Sequence, residues 1–217
     1  MFGPWERNHG SLDRPAPTSK PSFRQPTEGR AVRIEYPPDV DAVVYDLDGT
    51  LLRLVVDWER VAADVGAVYG EAGIPTEGDG VWTLLKRAEE NGIEAEVEAA
   101  IAAHEREGAR ESVRLPPADD LLELSVPAGV CSLNCEAACR IGLDTHGLAE
   151  YVEVVVGRDT VGARKPDPAP LLAAVDALGV DPGDTLFVGD SESDELTARR
   201  AGTRFSYVGD GPTNLGR

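Results

Sequence analysis

"VVYDLDGTLL", residues 43–52, is the stretch that decides the fold. Val43, Val44 and Tyr45 climb to Asp46, a second carboxylate follows at Asp48, and Gly49 and Thr50 break the run. The apolar half has the composition of a buried strand. An unpaired carboxylate at the edge of an apolar core is costly, so two of them closing a strand mark a place that holds a cation or does chemistry. Residues two apart in extended backbone project to the same side, which puts Asp46 and Asp48 together.

Working outward, the spacing predicts four further buried strands: "AGVCSL" (128–133), "VEVVVG" (152–157), "DTLFVGD" (184–190) and "RFSYVG" (204–209). Between them "NCEAACRIGL", "DPAPLLAAVDALG" and "SDELTARRAG" carry helical periodicity, and the last two close with the glycine that commonly follows a helix. Strands alternating with helices imply an α/β fold, a Rossmann-like parallel sheet with helices on both faces. After "DLDGTLL" the alternation stops. "DWERVAADVGAVYGEAG", "VWTLLKRAEENG" and "IEAEVEAAIAAHEREGA" are consecutive helix candidates, "PADDLLEL" adds a fourth, and no strand signal intervenes from about residue 55 to 125. The expected organisation is a core over 39–54 and 126–217, with a small helical cap inserted over 55–125 after the first strand.

Residues 1–38 hold six basic and four acidic side chains, so this stretch is +2 while the other residues of the −18 chain carry −20. Rich in Pro, Ser, Gly and Arg, it is expected to be a disordered tail. Loose docking on the acidic body, an extension without function and a start codon placed too early all fit it. The acidic balance argues against a nucleic-acid surface, which needs basic patches to neutralise phosphates. No apolar run approaches the roughly 20 residues that a membrane-spanning helix requires, and a cytoplasmic location is expected. Lysine occurs only at 20, 86 and 165 while acids are spread throughout, a pattern of halophilic proteins, in which excess charge keeps the chain soluble.

In an open parallel sheet, ligands bind beyond the carboxyl ends of the strands. That edge collects Asp46 and Asp48, Ser132 after the second strand, Asp190 and Asp194 after the fourth, and Lys165 ahead of it. Four carboxylates facing one ammonium call for a divalent cation, and oxygen ligands beside a phosphate suit Mg2+. Cys131, Cys135 and Cys139 are four apart but divided between strand and helix, so packing is expected of them rather than a metal site. His104 and His146 are expected at the surface, and His9, in the tail, is given no role. Trp58, Trp82 and Tyr69 are expected to pack the insert, whereas Arg53 and Arg60 follow the acid pair closely enough to face an anionic substrate.

Asp46-Leu47-Asp48-Gly49-Thr50, Ser132, Lys165-Pro166 and Gly189-Asp190 with Asp194 resemble, in order and spacing, the four motifs of the haloacid dehalogenase-like (HAD) hydrolase superfamily. The resemblance covers roughly residues 40–210, and the insert is similar to the cap of its phosphoglycolate phosphatase-like members. It implies a Mg2+-dependent phosphatase acting on a small soluble phosphomonoester. Asp46 is then the nucleophile that becomes an aspartyl-phosphate, and Asp48 the acid and base. Asp46, Asp48 through its backbone carbonyl, Asp190 and Asp194 are the implied metal residues. Ser132 and Lys165 are implied to bind phosphate, with Gly49 giving the backbone close approach and Thr50 bracing the loop. The second Asp argues against dehalogenation. At the second motif the family commonly shows Ser or Thr followed directly by Asn, whereas this chain has Ser132-Leu133-Asn134. A phosphoryl-transferring sugar phosphomutase, or a binding protein without turnover, remains open as an alternative.

Overall fold

The computed structural model describes Ile34, residues 36–76 and residues 78–209. The chain runs β1 (Ala42–Tyr45), β2 (Leu52–Arg53), α1 (Trp58–Glu71), α2 (Val81–Asn91), α3 (Glu94–Arg110), β3 (Val113–Arg114), α4 (Pro117–Leu121), β4 (Ala128–Cys131), α5 (Glu136–Thr145), β5 (Val154–Val156), α6 (Ala169–Leu178), β6 (Thr185–Gly189), α7 (Glu192–Ala201) and β7 (Arg204–Tyr207), with two short 3-10 turns at Ala149–Tyr151 and Pro182–Asp184. The five predicted strands form one parallel sheet in the order β5-β4-β1-β6-β7. The predicted α/β class with a parallel sheet is therefore the observed one.

All four residues of β1 are buried because the strand is central and covered on both faces. Val43 and Tyr45 join one cluster with Ala138, Cys139 and Leu143 of α5. Val44 joins the opposite cluster with Leu171, Ala174 and Val175 of α6 and Ala198 and Ala201 of α7. The strand's period of two thus divides a continuous apolar run between two layers of helix. Helices α6 and α7 stop at the predicted glycines, Gly179 and Gly202.

The helices between β2 and β3 have a core of their own: Val61, Val65 and Tyr69 from α1, Leu84, Leu85 and Ala88 from α2, and Val97 and Ile101 from α3. The Tyr69 hydroxyl, fully buried there, donates to the Leu84 carbonyl at 2.6 Å. Where no strand was expected, β3 pairs antiparallel with β2 at the base of the insert. Two residues are too short to show an alternating pattern, and the pairing comes from bringing the insert's ends together. Helix α4 is also shorter than its predicted stretch.

Residues 1–33 and Glu35, most of the expected tail, lie outside the described residues, as does His9. Within the expected tail, Ile34 is buried against the core and the Tyr36 hydroxyl lies 2.8 Å from that of Tyr45, so the packed chain starts earlier than residue 39. Among the described residues no helix is long and apolar enough to cross a membrane.

Candidate active site

Beyond the carboxyl ends of β1, β4 and β6 lies a cavity of about 300 Å³ lined by Asp46, Asp48, Ser132, Asn134, Lys165 and Asp190, with Trp82, Leu133, Ser191 and Ser193 completing its wall. Of the residues singled out from sequence, Asp46, Asp48, Ser132, Lys165 and Asp190 thus converge. The Asp46 amide donates to the Val188 carbonyl at 2.8 Å, extending the β1–β6 ladder one residue and fixing where its side chain projects. Asp48 is held from the other side, Oδ1 accepting the Leu54 amide at 2.9 Å.

Lys165 is the buried counter-charge. Its Nζ lies 2.5 Å from Asp194 Oδ1 and 3.0 Å from Asp46 Oδ1, with the Phe187 ring 5.5 Å away. Burial alone would lower its pKa; the carboxylates of Asp194 and Asp46 outweigh that and hold the ammonium above its usual range. Asp46 is raised as well, here toward its uncharged form. Burial pushes its carboxyl up to about 7, against the pull of Lys165 and with the added repulsion of Asp194 and Asp190.

Asp194 is fully buried and spoken for at both oxygens. Oδ1 meets Lys165, while Oδ2 accepts from the Ser191 amide at 3.1 Å and the Ser191 hydroxyl at 2.5 Å. Ser191 returns a bond to the Asp194 amide, so the pair is a capping box that starts α7. A side chain built on Gly189 would collide with the Asp194 carboxylate, its Cβ 2.7 Å from Oδ2. Asp194 accordingly orients Lys165, a duty in addition to any toward a metal.

Asp46, Asp190 and Asp194 each offer an oxygen within 4.8 Å of the others. Among the described residues Asp46 Oδ1 is buried without a hydrogen-bond partner, its contact with Lys165 lying off hydrogen-bonding geometry. Around the small cavity three acidic side chains face one ammonium, so acids outnumber bases before any ligand enters. An all-oxygen donor set with uncompensated charge fits a hard divalent cation such as Mg2+.

The loop after β1 folds back on itself: the Gly49 amide donates to the Leu52 carbonyl at 2.7 Å. The Gly49 φ of +92° favours glycine, and a Cβ there would sit 2.2 Å from Asp190 Oδ2, so the missing side chain makes room for the Asp190 carboxylate. Thr50 is fully buried and lines neither this cavity nor its neighbour; its Oγ1 has no partner among the described residues. Nor do Arg53 and Arg60 line either cavity.

The three cysteines are free and buried, as packing requires. His104 is half-buried against Asp64 at 2.7 Å and His146 against Ser112 at 3.0 Å, so both are less exposed than expected and both are away from the cavity. Tyr69 packs as predicted, but Trp82, 37 % exposed, does more. Tilted against Trp58 with ring centroids 5.5 Å apart, it walls both the small cavity and an adjoining cleft of about 900 Å³ between the insert and residues 158–166.

Sequence reasoning also missed Glu105 and Arg158, a buried ion pair at 2.7 Å joining α3 to the loop after β5. One signal was legible: Val97, Ile101, Glu105 and Ala109 succeed one another at the four-residue spacing of one helix face, so a charge interrupts an apolar stripe.

The family model described as haloacid dehalogenase-like hydrolase matches residues 86–208, which hold Ser132, Lys165, Asp190 and Asp194. The phosphoglycolate phosphatase of Thiobacillus denitrificans is 33% identical, the match covering 77% of this chain and 82% of the relative; that of Rhodospirillum rubrum is also 33% identical, over 74% and 76%. Among solved structures, a HAD-superfamily hydrolase of subfamily IA from Geobacter sulfurreducens shares 26% identity and a TM-score of 0.51, covering 76% of this chain and 88% of its own. CbbY of Rhodobacter sphaeroides, 19% identical with a TM-score of 0.56 over 77% and 85%, shows the same fold. The chain belongs to the haloacid dehalogenase-like hydrolase family. Within that family it is a hydrolase of the phosphatase type.

Proposed function

We propose that the protein hydrolyses a small soluble phosphomonoester, with Mg2+ as cofactor and an aspartyl-phosphate as intermediate. The observation that carries this reading is the convergence of Asp46, Asp48, Ser132, Lys165 and Asp190 on one cavity. An Asp46 carboxylate oxygen attacks phosphorus as the bond to the ester oxygen breaks, and Asp48, in its acid form, gives that oxygen its proton. Asp48, now a carboxylate, takes a proton from a water molecule that attacks the phosphorus of the acyl phosphate, releasing inorganic phosphate and restoring Asp46. Lys165 and the Ser132 hydroxyl hold phosphate oxygens and offset the growing charge.

Asp46, Asp190 and the Asp48 backbone carbonyl are the groups that would hold Mg2+, with Asp194 beside them. When bound, the ion supplies the positive charge that a dianionic ester needs in order to enter a cavity lined by three acids and one lysine. The insert acts as a cap, its Trp82 dividing the phosphate cavity from the cleft that receives the rest of the ester. 2-Phosphoglycolate and sugar phosphates are the first substrates to test. The three free cysteines and the −18 charge support work in a reducing, salt-rich cytoplasm.

The test is release of phosphate from an aryl phosphate in molar KCl, with Mg2+ or EDTA, by the protein and its Asp46→Asn variant. Metal-dependent release lost in the variant is expected. Equal release by the variant would refute the nucleophile assignment.

A further inference from the structure

Glu105 belongs to the insert, yet its carboxylate is wholly buried against the loop that follows β4. Oε1 accepts from Asn134 Nδ2 at 3.2 Å and Arg158 Nη1 at 2.7 Å; Oε2 accepts from the Cys135 amide at 2.9 Å and Arg158 Nη2 at 3.0 Å. A carboxylate has about four acceptor positions, and all are filled. Arg158 is equally committed. Its remaining donors go to Glu98, also on α3, and to the Leu133 carbonyl at 2.6 Å, while its guanidinium lies 5.6 Å from the centre of the Trp82 ring. Side-chain exposure is 0 % for both Arg158 and Glu105.

The chain of bonds continues into the cavity. A carboxylate on one side of Asn134 requires the amide's NH2 there and turns its carbonyl oxygen toward Ser132. The Ser132 hydroxyl donates to that oxygen at 3.1 Å, and the Asn134 amide N–H donates to Ser132 Oγ at 3.2 Å. Ser132 Oγ is thereby pinned, while its proton sits in a bond longer than the usual O–H···O distance of about 2.7–2.8 Å. A charged phosphate oxygen is the stronger acceptor and takes the proton without displacing the oxygen atom.

We propose that Glu105, held by Arg158, is a positioning residue: a carboxylate from the insert presets Ser132 through Asn134, making α3 a fixed wall of the phosphate site rather than part of a freely swinging lid. The inference rests on reading Ser132 as the phosphate-binding hydroxyl. A purely structural ion pair would join α3 to the core without affecting phosphate.

The test is calorimetric titration of inorganic phosphate, with Mg2+ present, into the full chain and into Ser132→Ala, Asn134→Ala, Glu105→Gln and the double variant Ser132→Ala/Glu105→Gln, each checked for folding by its melting temperature. Glutamine keeps the size of Glu105 but loses acceptors toward Asn134 or Cys135. Loss of one bond to a charged group weakens binding about tenfold, and that is expected of Ser132→Ala, Asn134→Ala and Glu105→Gln alike. Because the three residues act in series, the double variant should bind no worse than Ser132→Ala. Asn134→Ala leaves the ion pair intact and so separates positioning from stability.

Phosphate affinity unchanged in Glu105→Gln, or increased because a negative charge has gone, would overturn the proposal, as would losses that add in the double variant. If Ser132→Ala binds phosphate like the parent, the phosphate-site reading fails first, and this inference with it.

Discussion

Replacing Asp46 with asparagine should stabilise the metal-free protein, and increasingly so as the pH rises. Burial, aided by Asp194 and Asp190 and opposed by Lys165, pushes the Asp46 carboxyl up to about 7 in the fold. In the unfolded chain it ionises near 3.9. A group whose folded-state pKa is raised contributes stability that is full below the unfolded value and is lost as pH rises through the folded one. Near pH 8 the cost of holding Asp46 ionised is about 4 kcal/mol, roughly 1.4 for each of about three pH units. Near pH 5 it is only about 1.5 kcal/mol, so the advantage of the uncharged amide should grow by about 2–3 kcal/mol across that interval and level off above it. Urea unfolding of both proteins in EDTA, at pH values from 5 to 8.5, measures the difference while cancelling the self-repulsion common to both acidic chains. Adding Mg2+ should close the gap by favouring the ionised parent. A gap that stays flat with pH, or a variant less stable than the parent at pH 8 in EDTA, would refute the picture of Asp46 as a strained buried carboxylate.

Two substitutions probe how the cavity is shaped. Gly49→Ala places a Cβ 2.2 Å from Asp190 Oδ2 at a φ of +92°, so turnover should fall about a hundredfold or more and stability by about 1–2 kcal/mol; kinetics and the Mg2+-induced rise in melting temperature check both. Trp82→Ala removes the wall shared by the two cavities, so kcat/KM should shift by about tenfold in favour of bulky esters over 2-phosphoglycolate, read from a panel of phosphomonoesters.

The sheet was legible because its strands are buried on both faces: Ala42–Tyr45 and Thr185–Gly189 are apolar runs closed by Asp46 and Asp190, and that pairing of burial with a terminal acid is visible without coordinates. The two-residue strands β2 and β3 were not, since their pairing depends on bringing together ends sixty residues apart in sequence. Loop geometry was hidden for a related reason. Gly49 was legible as a position requiring glycine, but what it makes room for, the Asp190 carboxylate, comes from a different strand end. Nothing in the sequence shows that the tight turn of 47–52 buries Thr50. Arg158 and Glu105 are 53 residues apart, and only the packing of α3 over α5 brings them together.

The charge of the molecule and the charge of its site pose the same problem at two scales. A chain of −18 repels a phosphate dianion at a distance, and a cavity in which acids outnumber bases repels it again on contact. The basic residues are placed against this: of the three lysines, Lys165 lies inside the cavity and Lys86 lines the cleft beside it, with Arg158 and Arg164 nearby. Arg164 and Arg158 are already paired, to Glu94 and to Glu98 and Glu105, and Lys165 is shared between Asp46 and Asp194. Arg158, Arg164 and Lys165 are neutralised by these acids, which leaves little net positive charge inside the phosphate cavity for an incoming anion. In the proposed reaction the attraction there comes from a cation that arrives separately, and a metal and a phosphate that each favour the other's binding are coupled reciprocally. On the proposed mechanism the buried Asp46, which shares its one ammonium with Asp194, makes the site poor at holding phosphate alone and good at holding it with Mg2+, which ties occupancy by substrate to the presence of the ion.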